Sequence, residues 1–183
     1  MNALKKESSF TFSDIENLPE GVRAELIDGD IFYMASPSRI HQEIISQTLT
    51  LINNHIAAHK GKCKAYPAPF AVWPFGMEDD TNYLEPDITV VCHPDRLTDK
   101  GCNGAPDFII EVVSPSSAGQ DYLYKLNRYK DAGVREYWIV NPDSKVVNTF
   151  LFEAGTAGAC QFTDTISCFT LEGLTVCFAD LLK

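Results

Sequence analysis

Two carboxylates lie in or beside apolar runs that are typical of buried β-strands. Glu111 stands in the middle of the run Phe108–Val113, and Asp87 stands directly before the run Ile88–Val91. An unpaired carboxylate in a protein interior costs several kcal/mol even after its surroundings relax. We therefore expect a cation beside these two groups, either a metal ion or the ammonium group of a lysine.

If the two runs form neighbouring strands, side-chain alternation lets Asp87 and Glu111 point into one site. Oxygen ligands of this kind suit Mg²⁺ or Mn²⁺, which typically take one or two carboxylates and complete their shell with water and phosphate oxygens. A simpler alternative is that Asp87 caps a turn after Pro86 while Glu111 pairs with a structural arginine or lysine.

Lys125 is a candidate cation for this site. It lies in a predicted helix over 119–132, whose buried stripe contains Tyr122, Leu126 and Tyr129. Because Lys125 is three residues after Tyr122 and four before Tyr129, it borders that stripe. Its methylenes can lie along the apolar surface and bring the ammonium toward the sheet. The alternative is that the side chain simply extends to solvent.

Two further residues could join the site. Glu25 stands shortly before Asp28-Gly29, a dipeptide that predicts a tight hairpin turn; taken alone, its position favours an exposed strand residue. His41 lies in the first turn of a predicted long helix, where a lone histidine is more often a solvated or packing residue.

These candidates must be positioned by a mixture of helices and strands, which predicts an α/β fold with a mixed central sheet. Hydrophobic periodicity and turn signals predict helices over 10–18, 39–59 and 119–132, a hairpin over 22–35, and strands over 63–73, 86–92, 107–113, 135–140 and 146–152. The last thirty residues alternate short apolar pieces with glycines and predict a β-rich C-terminal edge. We expect one domain over 1–183, with a core over about 10–152 and an extension over 153–183.

The charge of the chain limits its partners. The 183 residues carry a net charge of −10 and have a pI of about 4.7, which argues against unspecific, high-affinity binding to phosphate backbones. A local basic cleft remains compatible with this charge. The basic residues that could form one are Arg23, Arg39, Lys60, Lys62, Lys64, Arg96, Lys100, Arg128 and Lys130.

The six cysteines include no C-x-x-C pair, so their spacing does not suggest a zinc site or a redox motif. The N-terminal stretch is charged where a signal peptide would be apolar, and no apolar run approaches the roughly 20 residues of a membrane span. We expect a cytoplasmic protein with free thiols and no membrane partner.

Several motifs follow one another along the chain. They are Glu25-Leu26-Ile27-Asp28-Gly29, Ser36-Pro37-Ser38 with His41, Glu85-Pro86-Asp87-Ile88, Ile110 to Ser117, Asp121, Lys125, Tyr129, and Gly133 to Val140. In this order they resemble the motifs of one family, the putative restriction endonucleases of the PD-(D/E)XK nuclease superfamily. The resemblance covers roughly residues 10–152 and implies the restriction-endonuclease-like fold, a mixed central sheet flanked by helices.

Within this resemblance, Pro86-Asp87 is similar to the family's PD pair and Glu111 to its second acidic ligand. Val113 stands where the superfamily signature has a lysine, and Lys125 fits the helix lysine that replaces it in this branch. Glu25 is similar to an additional acidic residue from the first part of the fold.

The resemblance implies a metal-dependent endonuclease that hydrolyses DNA. Mg²⁺ or Mn²⁺ would be held by Asp87, Glu111 and the backbone carbonyl of Val112, with Glu25 as a further acidic group and Lys125 stabilising developing charge. Many nucleases of this fold are homodimers, and aromatics near Trp73-Pro74-Phe75 could either form an interface or close the core. Two alternatives stay open: an inactive nuclease-fold binding or assembly module, and a nuclease acting on RNA or on a small phosphodiester.

Overall fold

A six-stranded mixed sheet forms the centre of the computed structural model, which describes residues 9–113 and 124–183. The strands are β1 (Ala24–Ile27), β2 (Asp30–Tyr33), β3 (Lys64–Pro67), β4 (Ala71–Trp73), β5 (Ile88–Val91), β6 (Leu97–Thr98), β7 (Gly101–Asn103), β8 (Phe108–Val112), β9 (Glu136–Asn141), β10 (Val146–Leu151), β11 (Thr156–Gln161), β12 (Ile166–Ser167) and β13 (Thr175–Val176). The helices are α1 (Phe12–Glu16), α2 (Arg39–Ala58), α3 (Leu126–Ala132) and α4 (Phe178–Leu181), with a short 3-10 turn at Pro94–Arg96.

The order of strands in the central sheet is β11-β10-β9-β8-β5-β3. β8 and β9 are parallel and are connected through α3, while the other neighbouring pairs are antiparallel. A parallel pair needs a crossover of this kind, because a hairpin cannot return the chain in the same direction. The mixed α/β class predicted from the sequence is confirmed.

The two faces of the sheet have different partners. Ile88, Ile110 and Trp138 belong to a core cluster that includes buried residues of α2. Ile109 of β8 belongs to a second cluster that contains Tyr129 of α3. Since side chains alternate along a strand, Glu111 lies on the same face as Ile109, toward α3 and the first hairpin.

The hairpin of β1 and β2 turns at Asp28-Gly29, as predicted. Both residues have positive φ, 51° and 75°, which the tight primed turns of two-residue hairpins require. The long helix α2 begins after Ser38, whose side-chain oxygen accepts the His41 amide N–H at 3.3 Å. This cap fixes the first turn of α2, and with it the position of His41.

Two predicted elements differ in detail from the structure. The segment 63–73 forms two strands, β3 and β4, which are separated by a cis peptide bond at Ala68–Pro69. The helix predicted over 119–132 is described only from residue 124, so Tyr122 lies outside the described residues, as do Asp121 and 114–117 of the motif series.

The expectation of free thiols is wrong for one pair of cysteines, because Cys63 and Cys92 form a disulfide. Lys64 of β3 pairs with Val91 of β5 in an antiparallel register, so the two cysteines occupy the next opposed positions, with Cα atoms 3.9 Å apart. The pairing depends on the register of two strands and has no signature in the cysteine spacing. The remaining cysteines are free: Cys102, Cys160, Cys168 and Cys177.

The C-terminal residues add β11 to one edge of the sheet, then the two-stranded pair β12–β13 and the short helix α4. Of the aromatics at 73–75, Trp73 is buried beside the rings of Phe12 and Tyr83, whereas Phe75 is 40% exposed. Within the described ranges, no helix is both long enough and apolar enough to cross a bilayer.

Candidate metal and phosphodiester site

Asp87 and Glu111 face each other across two neighbouring strands. The antiparallel register pairs Ile88 of β5 with Ile110 of β8, which makes Asp87 and Glu111 the next opposed residues. The Asp87 amide N–H donates to Glu111 Oε2 at 3.4 Å, and the Val112 amide N–H donates to Asp87 Oδ2 at 2.7 Å. The two carboxylates are only 9% and 4% exposed, so the sheet holds both in a protected position.

Lys125 connects Glu111 to Glu25. Its ammonium lies 2.9 Å from Glu111 Oε1 and 2.8 Å from Glu25 Oε2, and it is 4% exposed. Glu25 is buried on β1, and its Oε1 also accepts the Glu85 amide N–H at 3.0 Å. Glu25 is therefore buried and not an exposed strand residue, and the side chain of Lys125 does not extend to solvent.

Tyr129 fixes Glu111 from the same helix. Its hydroxyl donates to Glu111 Oε1 at 2.9 Å, and its side chain is fully buried. Burial, and next the charge of Glu111, raise the pKa of Tyr129 well above its ordinary value. The hydroxyl therefore stays protonated and remains a donor. The sequence marks Tyr129 as a core residue, but nothing in its spacing reveals this hydrogen bond.

His41 reaches the site from the start of α2, which differs from the solvated or packing role that a lone helical histidine predicts. Its Nε2 lies 3.2 Å from Asp87 Oδ2, and its side chain is 13% exposed. Asp87 is thus held on one oxygen by both His41 and the Val112 amide. The sequence places His41 three residues after a helix cap and far from Asp87. Its contact with Asp87 therefore becomes visible only in the folded structure.

A second ion pair borders the cluster. Arg23 binds Glu85 Oε2 through both Nε and Nη2, with the Nε contact at 2.9 Å. The Tyr83 hydroxyl donates to the other oxygen of Glu85 at 2.7 Å. Burial, followed by this hydrogen bond, raises the pKa of Tyr83 above its ordinary value, so that its donor is retained. Glu85 therefore contacts both neighbours: its backbone amide binds Glu25, and its side chain binds Arg23.

The donor set fits a divalent cation. Three acidic side chains, Asp87, Glu111 and Glu25, are buried close to one another, and Lys125 contacts two of them. Among the described residues, nothing bonds to Oδ1 of Asp87. Hard divalent cations take oxygen ligands and tolerate a shell completed by water. Asp87 and Glu111 are therefore suitable ligands for Mg²⁺ or Mn²⁺.

Glu25 does not form a three-carboxylate group with this pair. Within the described part of the chain, no three His, Cys, Asp or Glu side chains converge in an arrangement that could hold a metal by themselves. The oxygens of Glu25 contact Lys125 and the Glu85 amide instead. In this arrangement Glu25 positions the ammonium. Val112 lines the same cavity, and its carbonyl stays a predicted ligand.

The cluster opens into a cavity of about 470 Å³. Its floor contains Glu25, Asp87, Glu111 and Lys125. The walls come from the first hairpin, the start of α2, the segment at 67–68 and the turn at 142–143. Of the nine basic residues considered from the sequence, Arg23 is the one that lines this cavity.

Comparison with known proteins finds a matching family and a matching fold. The model of the Uma2 family, described as putative restriction endonuclease, matches residues 11–178. The uncharacterized protein slr1290 of Synechocystis sp. (strain ATCC 27184 / PCC 6803 / Kazusa) is 26% identical over 127 residues, covering 69% of this chain and 64% of that relative. The chain thus aligns with less than two-thirds of the relative's length.

A crystal structure of a putative nuclease belonging to DUF820, from Anabaena variabilis ATCC 29413, superposes with a TM-score of 0.76. The superposition covers 94% of this chain and 97% of that chain, and the two sequences are 20% identical. At this identity the likeness shows a shared fold and nothing more. The family match and the shared fold confirm the resemblance drawn from the motifs and the restriction-endonuclease-like architecture.

Proposed function

The chain belongs to the Uma2 family of putative restriction endonucleases, and we propose that it is a metal-dependent endonuclease that hydrolyses DNA phosphodiester bonds at the Asp87–Glu111 site. The observation that carries the proposal is the position of Lys125. Its ammonium lies 2.9 Å from Glu111, so the residue directly before α3 brings the positive charge that Val113, directly after β8, cannot provide.

Asp87 and Glu111 would hold Mg²⁺ or Mn²⁺, with the Val112 carbonyl as a further ligand. A bound divalent ion would neutralise phosphoryl charge and acidify water at the site. The protein's own contribution is to hold the two carboxylates opposite each other. The Val112 amide and His41 hold Asp87, while Tyr129 holds Glu111.

Lys125 would stabilise the negative charge that develops on the phosphoryl oxygens, or orient the attacking water. A preorganised cation in a site with little water is effective because it needs no reorganisation during the reaction. Glu25 and Glu111 fix the ammonium from two sides. No cysteine or serine nucleophile is needed, since water attacks the phosphorus directly.

An inactive module with the same fold is the alternative. Val113 and the net charge of −10 favour it. Against it stands the burial of Glu25, Glu111 and Lys125, each below 5% exposed. Buried charges usually cost more free energy than apolar residues of similar volume, so a site without a reaction has no physical need for them.

The test is cleavage of supercoiled plasmid in EDTA, Mg²⁺ or Mn²⁺ by wild type, Asp87→Asn and Glu111→Gln. Both changes remove one charge and preserve shape, and we expect each to abolish metal-dependent nicking. Thermal midpoints in EDTA check that each variant is folded, and in Glu111→Gln the ammonium of Lys125 keeps its contact with Glu25. Asp143→Asn, at an exposed position on the cavity wall, makes the same chemical change and should cut like wild type.

The outcomes separate the alternatives. Nicking that persists in both variants would exclude this site. If no preparation cuts plasmid, single-stranded DNA or RNA, the inactive module is favoured. Cleavage of RNA without cleavage of DNA would keep the site and change the substrate.

A further inference from the structure

Arg23 is the exposed cation on the wall of the cavity. Among the described residues that line it, the arginines and lysines are Arg23 and Lys125. The Lys125 side chain is 5% exposed and bound to two carboxylates, whereas the Arg23 side chain is 41% exposed. An anion that enters from solvent therefore meets the guanidinium before it meets the ammonium.

The strand geometry directs Arg23 toward the charge cluster. Its carbonyl accepts the Met34 amide N–H at 2.9 Å, so the pairing of the hairpin extends to Arg23. Side chains alternate along a strand, and Arg23 precedes Glu25 by two residues, so both leave β1 on the same side. Glu25 contacts Lys125 on that side.

Glu85 fixes the guanidinium without using all of its donors. Nε and Nη2 of Arg23 bind Glu85 Oε2, and Glu85 is held in turn by the Tyr83 hydroxyl. A guanidinium has five N–H donors in a rigid plane. Among the described residues, no acceptor bonds to Nη1 of Arg23. The ion pair thus presents an oriented cation with donors available for a second anion.

We propose that Arg23 binds a phosphate of the nucleic-acid substrate next to the scissile bond, an inference that rests on the proposed nuclease function. The cavity floor carries three carboxylates, which repel a polyanion unless a cation offsets them. A preoriented guanidinium suits this task because its fork matches the spacing of phosphate oxygens.

The same reasoning predicts that the protein contacts only a few phosphates of the nucleic acid. The other eight basic candidates do not line the cavity, and the sequence of 114–123 contains no lysine or arginine. The salt dependence of binding scales with the number of phosphates neutralised. We therefore expect the affinity to fall only weakly with salt concentration, and we expect Arg23 to account for about one unit of the slope of log affinity against log salt concentration.

The experiment measures binding of a short fluorescein-labelled DNA strand by anisotropy, in Ca²⁺ and over a series of KCl concentrations. Arg23→Gln should weaken binding about tenfold, the loss expected for a charge-assisted hydrogen bond, and should reduce the salt slope by about one. Arg23→Lys keeps the charge but not the fork, and should give an intermediate affinity with the wild-type slope.

Arg39→Gln is the matched control. Arg39 is 82% exposed, pairs with Glu43 within α2 and does not line the cavity, so its removal should change affinity by less than about twofold. Thermal melts of each variant show whether the substitution destabilises the fold. If the salt slope changes while the melting temperature stays constant, the change cannot result from loss of folding.

Wild-type affinity and slope in Arg23→Gln would overturn the assignment while leaving the nuclease function intact. Weaker binding with an unchanged slope and a lower melting temperature would also overturn it, because Arg23 would then act only by holding Glu85. If wild type neither binds nor cuts nucleic acid, the proposed function itself fails and this inference fails with it.

Discussion

Replacing Lys125 with methionine tests the buried charge cluster most directly. Methionine has a similar length and keeps the apolar packing of the stem, so the change removes mainly the ammonium. In the wild type that ammonium contacts Glu25 and Glu111 at 2.8 and 2.9 Å, and all three side chains are at most 5% exposed. The variant leaves two carboxylates buried without their shared cation.

The expected cost is about 3–5 kcal/mol, the range found when one partner of a buried ion pair is removed. Each contact at this separation contributes about 4–6 kcal/mol at an effective dielectric constant near 20, and the ammonium's own desolvation penalty offsets part of the sum. Against a total stability of about 5–15 kcal/mol, such a loss is large and measurable.

Urea unfolding in EDTA, followed by tryptophan fluorescence, provides the assay. Trp73 and Trp138 are both buried, at 3% and 0% exposed, so unfolding changes their surroundings. Lys130→Met is the control, because Lys130 lies on the same helix at an exposed position, and it should change stability by less than about 0.5 kcal/mol.

A double-mutant cycle with Glu25→Gln isolates the pair. The second change removes one uncompensated charge, so Lys125→Met should cost less in that background, by at least about 1 kcal/mol. A loss below about 1 kcal/mol in Lys125→Met alone, with no coupling to Glu25, would refute the reasoning, since it would place the ammonium in solvent.

Two further predictions concern buried hydrogen bonds. Tyr129→Phe removes the donor to Glu111 Oε1; it should lower the free energy of unfolding by about 1.5–3 kcal/mol and reduce the cleavage rate, as measured by urea titration and plasmid nicking. Glu136→Gln alters a fully buried carboxylate that accepts from Trp138 Nε1 and from the amides of Phe169 and Thr170. It should cost about 2–3 kcal/mol and speed amide exchange at those two amides, whereas normal protection there would contradict the anchoring role.

The sequence predicts the sheet part of the site well, because its signals are local. Asp87 and Glu111 each adjoin an apolar run, and the sequence predicts one shared site if those runs form neighbouring strands. The side-chain period of two then brings both carboxylates to one face. The hairpin turn at Asp28-Gly29 is equally local, since positive φ at both positions selects these residues.

The remaining contacts are not local, and the sequence gives little sign of them. His41 reaches Asp87 only because α2 begins beside the ends of the strands, and Cys63 meets Cys92 only through the register of β3 and β5. Glu136, like Glu111, is a carboxylate in an apolar strand. The sequence gives no sign of the donors that form hydrogen bonds with the Glu136 carboxylate. Its partners come from Trp138 and from residues about thirty positions later.

The place of Lys125 has a consequence for how the site is maintained. A lysine at position 113 would directly follow β8 and would stay with Glu111 whenever the sheet is intact. Lys125 is the N-cap residue of α3, so the cation reaches Glu111 only while that helix is docked. Tyr129 is fully buried on α3 and also bonds to Glu111, and Arg128 ties the helix to Asp28 at 3.1 Å. Docking of α3 therefore supplies the cation and orients the carboxylate in one step, which makes the integrity of the site depend on the packing of that helix.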